Sequence, residues 1–260
     1  MTYKETYLYW RESVREEHLL SELESIKEDD AQIKERFISD LPFGTAGLRG
    51  IIGAGITRMN RYVVGRATQG LADYLLADGK AAKCMVIAYD SRQFSSEFAK
   101  EAACVFAGNG ISACLFEQLT SVPELSFAVR HLKADGGIVI TASHNPRQYN
   151  GYKVYAAYGG QLGPEESLDV MAGIQKLDPF KDVKRIGYED GVAKGLILEI
   201  GEEIDRLYYE RMVTLCGAES AEDLKFVYTP LHGRGHTQTR WHIRYADRQS
   251  DRMSIDQLYA

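Results

Sequence analysis

The sequence predicts an α/β protein: a three-layer α/β/α domain with a mixed, mostly parallel sheet, followed by an incomplete second α/β domain. Three observations carry this. The short apolar runs "CMVIAY" (84–89), "ISACLF" (111–116) and "GIVIT" (137–141) have the continuous hydrophobicity of strands covered on both faces. Stretches of helical period separate them, one with Phe98, Ala102, Val105 and Phe106, the next with Leu125, Ala128, Val129 and Leu132. Gly108, Gly110, Pro123 and Gly136-Gly137 punctuate the alternation. Strand–helix–strand repeats of this kind build parallel sheets with right-handed crossovers.

In chain order, residues 1–40 read as an N-terminal helical segment, with Trp10, Val14, Leu20 and Leu23 at roughly helical spacing, stopped by Pro42 and Gly44. "FGTAGLRGIIGAG" (43–55) reads as a glycine-rich loop. A helix follows over about 61–77, with Val64, Ala67, Leu71, Tyr74 and Leu75 on one face. Gly65 and Gly70 interrupt it at about 1 kcal/mol each relative to Ala, which predicts close packing against another element. Past the three strands, "KVYAAY" (153–158) reads as a further strand, and Leu168, Met171 and Ile174 mark a helix. Residues 41–195 therefore read as one domain, its last stretch, about 178–195, being linker-like. Ile204, Leu207, Tyr208, Met212 and Leu215 mark another helix and "LKFVYT" (224–229) another strand, so residues 200–233 read as the start of a second domain. Residues 234–260 hold five arginines and no lysine, against thirteen of each before them. That break in composition predicts an aberrant or frame-shifted tail.

The chain has 260 residues, 45% of them hydrophobic and 26% charged, the balance of a globular protein. With a net charge of -6 it presents no general basic field for nucleic acid or an anionic membrane. Cations that hold an anionic ligand must therefore be local. The four cysteines show no CxxC spacing and read as small buried side chains of a reducing compartment. The N-terminus is charged rather than signal-like, and no apolar run approaches the ~20 residues of a membrane span. A cytoplasmic location is expected.

Chemistry concentrates where the third strand ends, in "TASHNPRQYNGYK" (141–153); in such sheets, ligands sit at the carboxyl ends of strands. Ser143 and His144 are adjacent, so in an extended loop their side chains diverge, and no GxSxG elbow is present. A serine hydrolase is not indicated. Taken alone, S-H-N-P is a capping loop. Arg49 in the upstream glycine-rich stretch and Lys153 just downstream change that reading. An arginine, a lysine and a histidine near one serine suit a phosphate ester, and a phosphoserine carries close to two negative charges.

"TASHNPRQYNGYK", "FGTAGLRG", "RMNRY" (58–62), "YDSR" (89–92) and "VPELSFAVRHL" (122–132) together resemble the α-D-phosphohexomutase superfamily, most closely its phosphoglucomutase branch, over about residues 36–233. The resemblance implies an isomerase of the intramolecular phosphotransferase kind. It interconverts hexose 1-phosphate and 6-phosphate through a phosphoserine and a sugar bisphosphate. The phosphorylated serine falls on Ser143. Arg49 would contact the reacting phosphoryl group, Lys153 would neutralise it from the other side, and Asn145 and His144 would shape the loop. For His144 a proton shuttle and a loop-ordering hydrogen bond both stand. For Arg92 a contact with the site and a structural ion pair near Asp90 both stand, the ion pair being the better reading; Tyr149 and Tyr152 read as packing residues rather than sugar platforms. The implied cofactors are Mg2+, touching Ser143 through its phosphate, and glucose 1,6-bisphosphate as activator and intermediate. A sugar phosphate is the implied partner, not nucleic acid or membrane.

The same resemblance implies four domains around one cleft, the third with a D-x-D-x-D magnesium loop and the fourth with a phosphate-holding loop. "EDD" (28–30) and "DRQSDR" (247–252) have the wrong spacing for the first and read as solvated charge runs. Two expectations follow: a phosphoglucomutase by descent, or a non-catalytic sugar-phosphate-binding fragment lacking domains III and IV.

Overall fold

The first 40 residues form three helices rather than one in the computed structural model, which describes residues 1–216 apart from 45, 46, 78 and 80–82. These are α1 (Tyr3–Ser13), α2 (Glu17–Ser25) and α3 (Asp30–Phe37). Local capping sets the breaks. Thr2 and Glu5 form a capping box on α1, and the Asp29 carboxylate accepts the Gln32 N–H to open α3. The buried Trp10 packs edge-on against Phe37, Tyr62 and Phe180. The segment therefore closes onto the domain instead of standing beside it.

The remaining elements are β1 (Gly47–Ile51), α4 (Arg61–Leu76), β2 (Cys84–Tyr89), α5 (Ser95–Gly108), β3 (Ser112–Phe116), α6 (Val122–His131) and β4 (Gly136–Ile140), then β5 (Tyr149–Ala156), α7 (Pro164–Ile174), α8 (Tyr188–Ala193), β6 (Ile197–Ile200) and α9 (Glu202–Cys216). The sheet order is β1-β5-β4-β2-β3-β6. The β2–β3, β2–β4 and β3–β6 pairings are parallel, whereas β5 is antiparallel to both of its neighbours, β4 and β1. A mixed, mostly parallel sheet was the expectation, and it is what forms.

Alternate residues of the central strands feed two separate cores. Met85, Ile87, Ile138 and Ile140 pack on one face with Phe106 and Tyr152. Val86, Ala88 and Val139 pack on the other with Leu125, Val129 and Ile204. This is the three-layer arrangement. Gly70 lies where α4 meets α7: a Cβ there would stand 2.4 Å from Ile174 Cγ1 and 3.1 Å from its backbone. The close packing expected of the helical glycines is present.

Four readings of the sequence are corrected. The glycine-rich stretch contains β1, which glycines at 47 and 50 conceal because they lack the side chains that mark a strand. The linker-like stretch contains α8 and leads into β6, only four residues long and with Leu198 and Glu199 exposed. Residues 200–216, expected to open a second domain, continue the first: β6 extends its sheet, and Tyr208 of α9 meets Phe127 of α6 edge-on. Leu168 lies on the exposed side of α7, whose buried face is Ser167, Val170 and Ile174. Cys84 and Cys114 are free thiols with sulfur atoms 3.5 Å apart, and Cys104 is a half-buried thiol. The predicted strand at 224–229 and the tail at 234–260 lie outside the described residues.

Candidate active site

β4 stops at Ile140 because the next residues turn back on themselves. The Ser143 N–H donates to Thr141 Oγ1 at 3.0 Å, and the Asn145 N–H to the Ala142 carbonyl at 3.1 Å. Ser143 takes φ 57°, a left-handed conformation that non-glycine residues seldom adopt. The divergence of Ser143 and His144 expected for an extended loop is therefore not found. The turn leaves both residues exposed and sets Ser143 Oγ 3.4 Å from His144 Nδ1, long for a hydrogen bond but short for a proton path that tightens around a ligand.

The two predicted cations come from adjacent antiparallel strands. Arg49 on β1 stands opposite Gly151 on β5, and Lys153 on β5 stands opposite Gly47 on β1. The pairing places Arg49 and Lys153 on one face as diagonal neighbours. Both facing residues must be glycine: a Cβ on Gly47 would lie 1.9 Å from the Tyr152 carbonyl oxygen, and one on Gly151 2.6 Å from that of Thr141. Arg49 is exposed, and its Nη1 donates to Asn145 Oδ1 at 2.9 Å. Lys153 is half-buried. Burial, and then the Arg49 charge, hold its ammonium below the usual lysine range, with Asp90 pulling the other way. Two cations that disfavour each other, neither in an ion pair with a carboxylate among the described residues, make a place where an anion is stabilised.

Arg92 does more at the site than the ion pair preferred from the sequence. Its ion pair with Asp90 is present, Nε to Oδ2 at 3.5 Å. Its other donors, however, serve the loop. Nη2 donates to the carbonyls of Ser143 and Asn145, both at 2.7 Å, and Nη1 to those of Pro146 and Tyr149 at 3.0 and 3.1 Å. Asp90 is fixed in turn by the Ser95 hydroxyl at 2.8 Å, and buried Asn150 donates to that same hydroxyl at 2.9 Å. One sequence signal existed: "YDSR" begins at the last residue of β2, the neighbour of the strand that leads into the Ser143 loop.

Tyr152 is fully buried, as a packing residue should be, and the Thr68 hydroxyl meets its hydroxyl at 3.2 Å. Among the described residues no three His, Cys, Asp or Glu side chains gather as a metal site. The groups around Ser143 are cations and amides, so these residues do not fit a magnesium site of their own. A cavity of about 730 Å³, lined by His18, Leu19, Phe94 and Phe98 among others, lies elsewhere and meets the loop only through Gln148.

Residues 40–180 match the family model described as phosphoglucomutase/phosphomannomutase, alpha/beta/alpha domain I. The chain belongs to this family. Among its relatives, the phosphoglucomutase of Staphylococcus saprophyticus is 38% identical over 224 residues, 86% of this chain and 40% of that protein. The Schizosaccharomyces pombe protein named "Probable phosphoribomutase" is 37% identical over 236 residues, 88% of this chain and 40% of that protein. The crystal structure of Paramecium pp63/parafusin (phosphoglucomutase), open form, shares the fold with a TM-score of 0.64 at 18% identity, covering 80% of this chain and 42% of that one. The chain spans about two fifths of the length of the curated relatives it matches. The resemblance carried by the Ser143 loop and the Arg49 stretch thus stands as family membership. Among the described residues no helix is long and apolar enough to cross a membrane.

Proposed function

We propose that this chain carries the phosphoryl-accepting part of a phosphoglucomutase-type site, in which Ser143 alternates between hydroxyl and phosphate ester. The observation that supports it best is the exposed, left-handed Ser143 at the end of β4, beside an Arg49–Asn145 pair and the half-buried Lys153. Ser143 Oγ attacks a phosphate of a sugar bisphosphate. The Oγ–P bond forms, the sugar O–P bond breaks, and the serine proton passes by way of His144 Nδ1 to the leaving sugar oxygen. Reversal at the other sugar hydroxyl completes an exchange between hexose 1- and 6-phosphates. Arg49 and Lys153 offset charge on the transferring group, the main catalytic demand of phosphoryl transfer.

Glucose 1,6-bisphosphate is the proposed phosphoryl donor and a hexose phosphate the proposed substrate, in a cytoplasmic setting. Magnesium is proposed as a counter-ion of phosphorylated Ser143, and the described residues provide it no ligand besides that phosphate. A second reading is a half-site, in which the described residues accept a phosphoryl group without completing the mutase cycle.

Two assays test these readings. Incubation with glucose 1,6-bisphosphate and magnesium, followed by phosphopeptide mapping, should place phosphate on Ser143, and an unlabelled Ser143 peptide refutes the carrier role. A coupled assay with glucose 1-phosphate, magnesium and trace bisphosphate separates full turnover from the half-site.

A further inference from the structure

We propose that Arg92 is the positioning residue of the nucleophile loop: its guanidinium gathers four loop carbonyls onto one point and so holds Ser143 in its left-handed conformation. A guanidinium has five N–H donors in one plane. Here all five are accounted for, four on the carbonyls of Ser143, Asn145, Pro146 and Tyr149 and the fifth facing Asp90. A residue held only as a surface ion pair would direct its fork at the carboxylate. This one directs a single N–H there and the rest at the loop. The side chain is 15% exposed, and Asp90 beside it 10%, so the contacts are shielded from competing water.

Ser143, His144, Pro146, Arg147 and Gln148 are exposed, and their side chains contribute little to holding the loop. The conformation at Ser143 is disfavoured for a residue with a Cβ and persists only where its surroundings impose it. Lysine cannot replace arginine in this role, because a point ammonium with three donors cannot span four converging carbonyls in a plane.

The activity arm of the test rests on the phosphoserine reading above, and the structural arm does not. Wild type, Arg92→Lys, Arg92→Ala, and Arg92→Ala with added guanidinium are compared in the full chain. Hydrogen exchange at the Ser143, Asn145 and Tyr149 amides should accelerate at least about tenfold in both variants while the strand amides of β2 and β4 stay protected. The saturating rate of Ser143 phosphorylation by glucose 1,6-bisphosphate should fall about 100-fold, as expected for a reacting atom displaced by about 1 Å, with its half-saturating concentration changed less than about threefold. Guanidinium should restore part of that rate to Arg92→Ala. Wild-type exchange and a wild-type rate in the variants overturn the proposal. So does acceleration spread over the β2 and β4 amides, which would mean general unfolding. If wild type takes up no phosphate, the functional reading falls and the exchange pattern alone decides the role of Arg92.

Discussion

Ser143 illustrates what a single residue can and cannot announce. Its chemical type, its place after an apolar run and its arginine and lysine companions were legible in the sequence. Its backbone conformation was not, because the local turn is completed by a guanidinium 51 residues upstream. The left-handed φ has a measurable cost. Ser143→Ala keeps the disfavoured conformation, whereas Ser143→Gly relieves it, so the glycine variant should be the more stable of the two by about 1 kcal/mol in urea unfolding. Lys153 makes a second prediction. Its charged form is disfavoured in the folded state, so the penalty is fully present at neutral pH and is relieved as pH rises from the lowered folded pKa toward that of an ordinary lysine. Lys153→Met should therefore melt higher than wild type at pH 7.5, with the gap narrowing by pH 10. The same variant should lose Ser143 phosphorylation. In wild type the phosphorylation rate should decline at a pH below the ordinary lysine range. A Lys153→Met protein that melts below wild type at pH 7.5 would contradict this account.

At the scale of elements, legibility followed hydrophobic content. The strands buried on both faces, β2, β3 and β4, announced themselves through unbroken apolar runs. The two edge strands did not. β1 is hidden by two glycines, Gly47 where β5 approaches closely and Gly50 where Leu41 and Thr57 crowd it, and β6 is too short and too exposed to show a period. The three N-terminal helices merged into one in the sequence reading because a shared apolar face continues across breaks that only the caps define. Gly70 makes the prediction proper to this scale. Alanine would improve helix propensity by about 1 kcal/mol, yet its Cβ would push into the Ile174 backbone and side chain. Gly70→Ala should lower stability by about 1–3 kcal/mol in chemical denaturation, and a stabilised variant would show that α7 yields freely.

Across the whole molecule, the N-terminal helices and the sheet layers share one core, joined at Trp10, Phe37, Tyr62 and Phe180. Trp10→Ala should cost about 3–5 kcal/mol and lower the melting of the entire domain in one transition. A separate early transition of the helices would show them to be an independent unit. This integration was not legible, since Phe180 lies 170 residues from Trp10 and within a stretch that reads as linker. The reversal of β5 has a consequence of its own. In most α/β sites the strand bearing the reactive residue runs into a helix, whose N-terminal amides form a fixed, non-titrating anion cradle. Here β4 runs into a returning strand, so no helix start follows Ser143 and the positive potential rests on side chains, one of them the exposed Arg49. Such charges are shielded by mobile ions within about 10 Å at 0.1 M ionic strength and about 3 Å at 1 M. Phosphate uptake by Ser143 is therefore expected to be salt-sensitive, its half-saturating bisphosphate concentration rising steadily as sodium chloride is added.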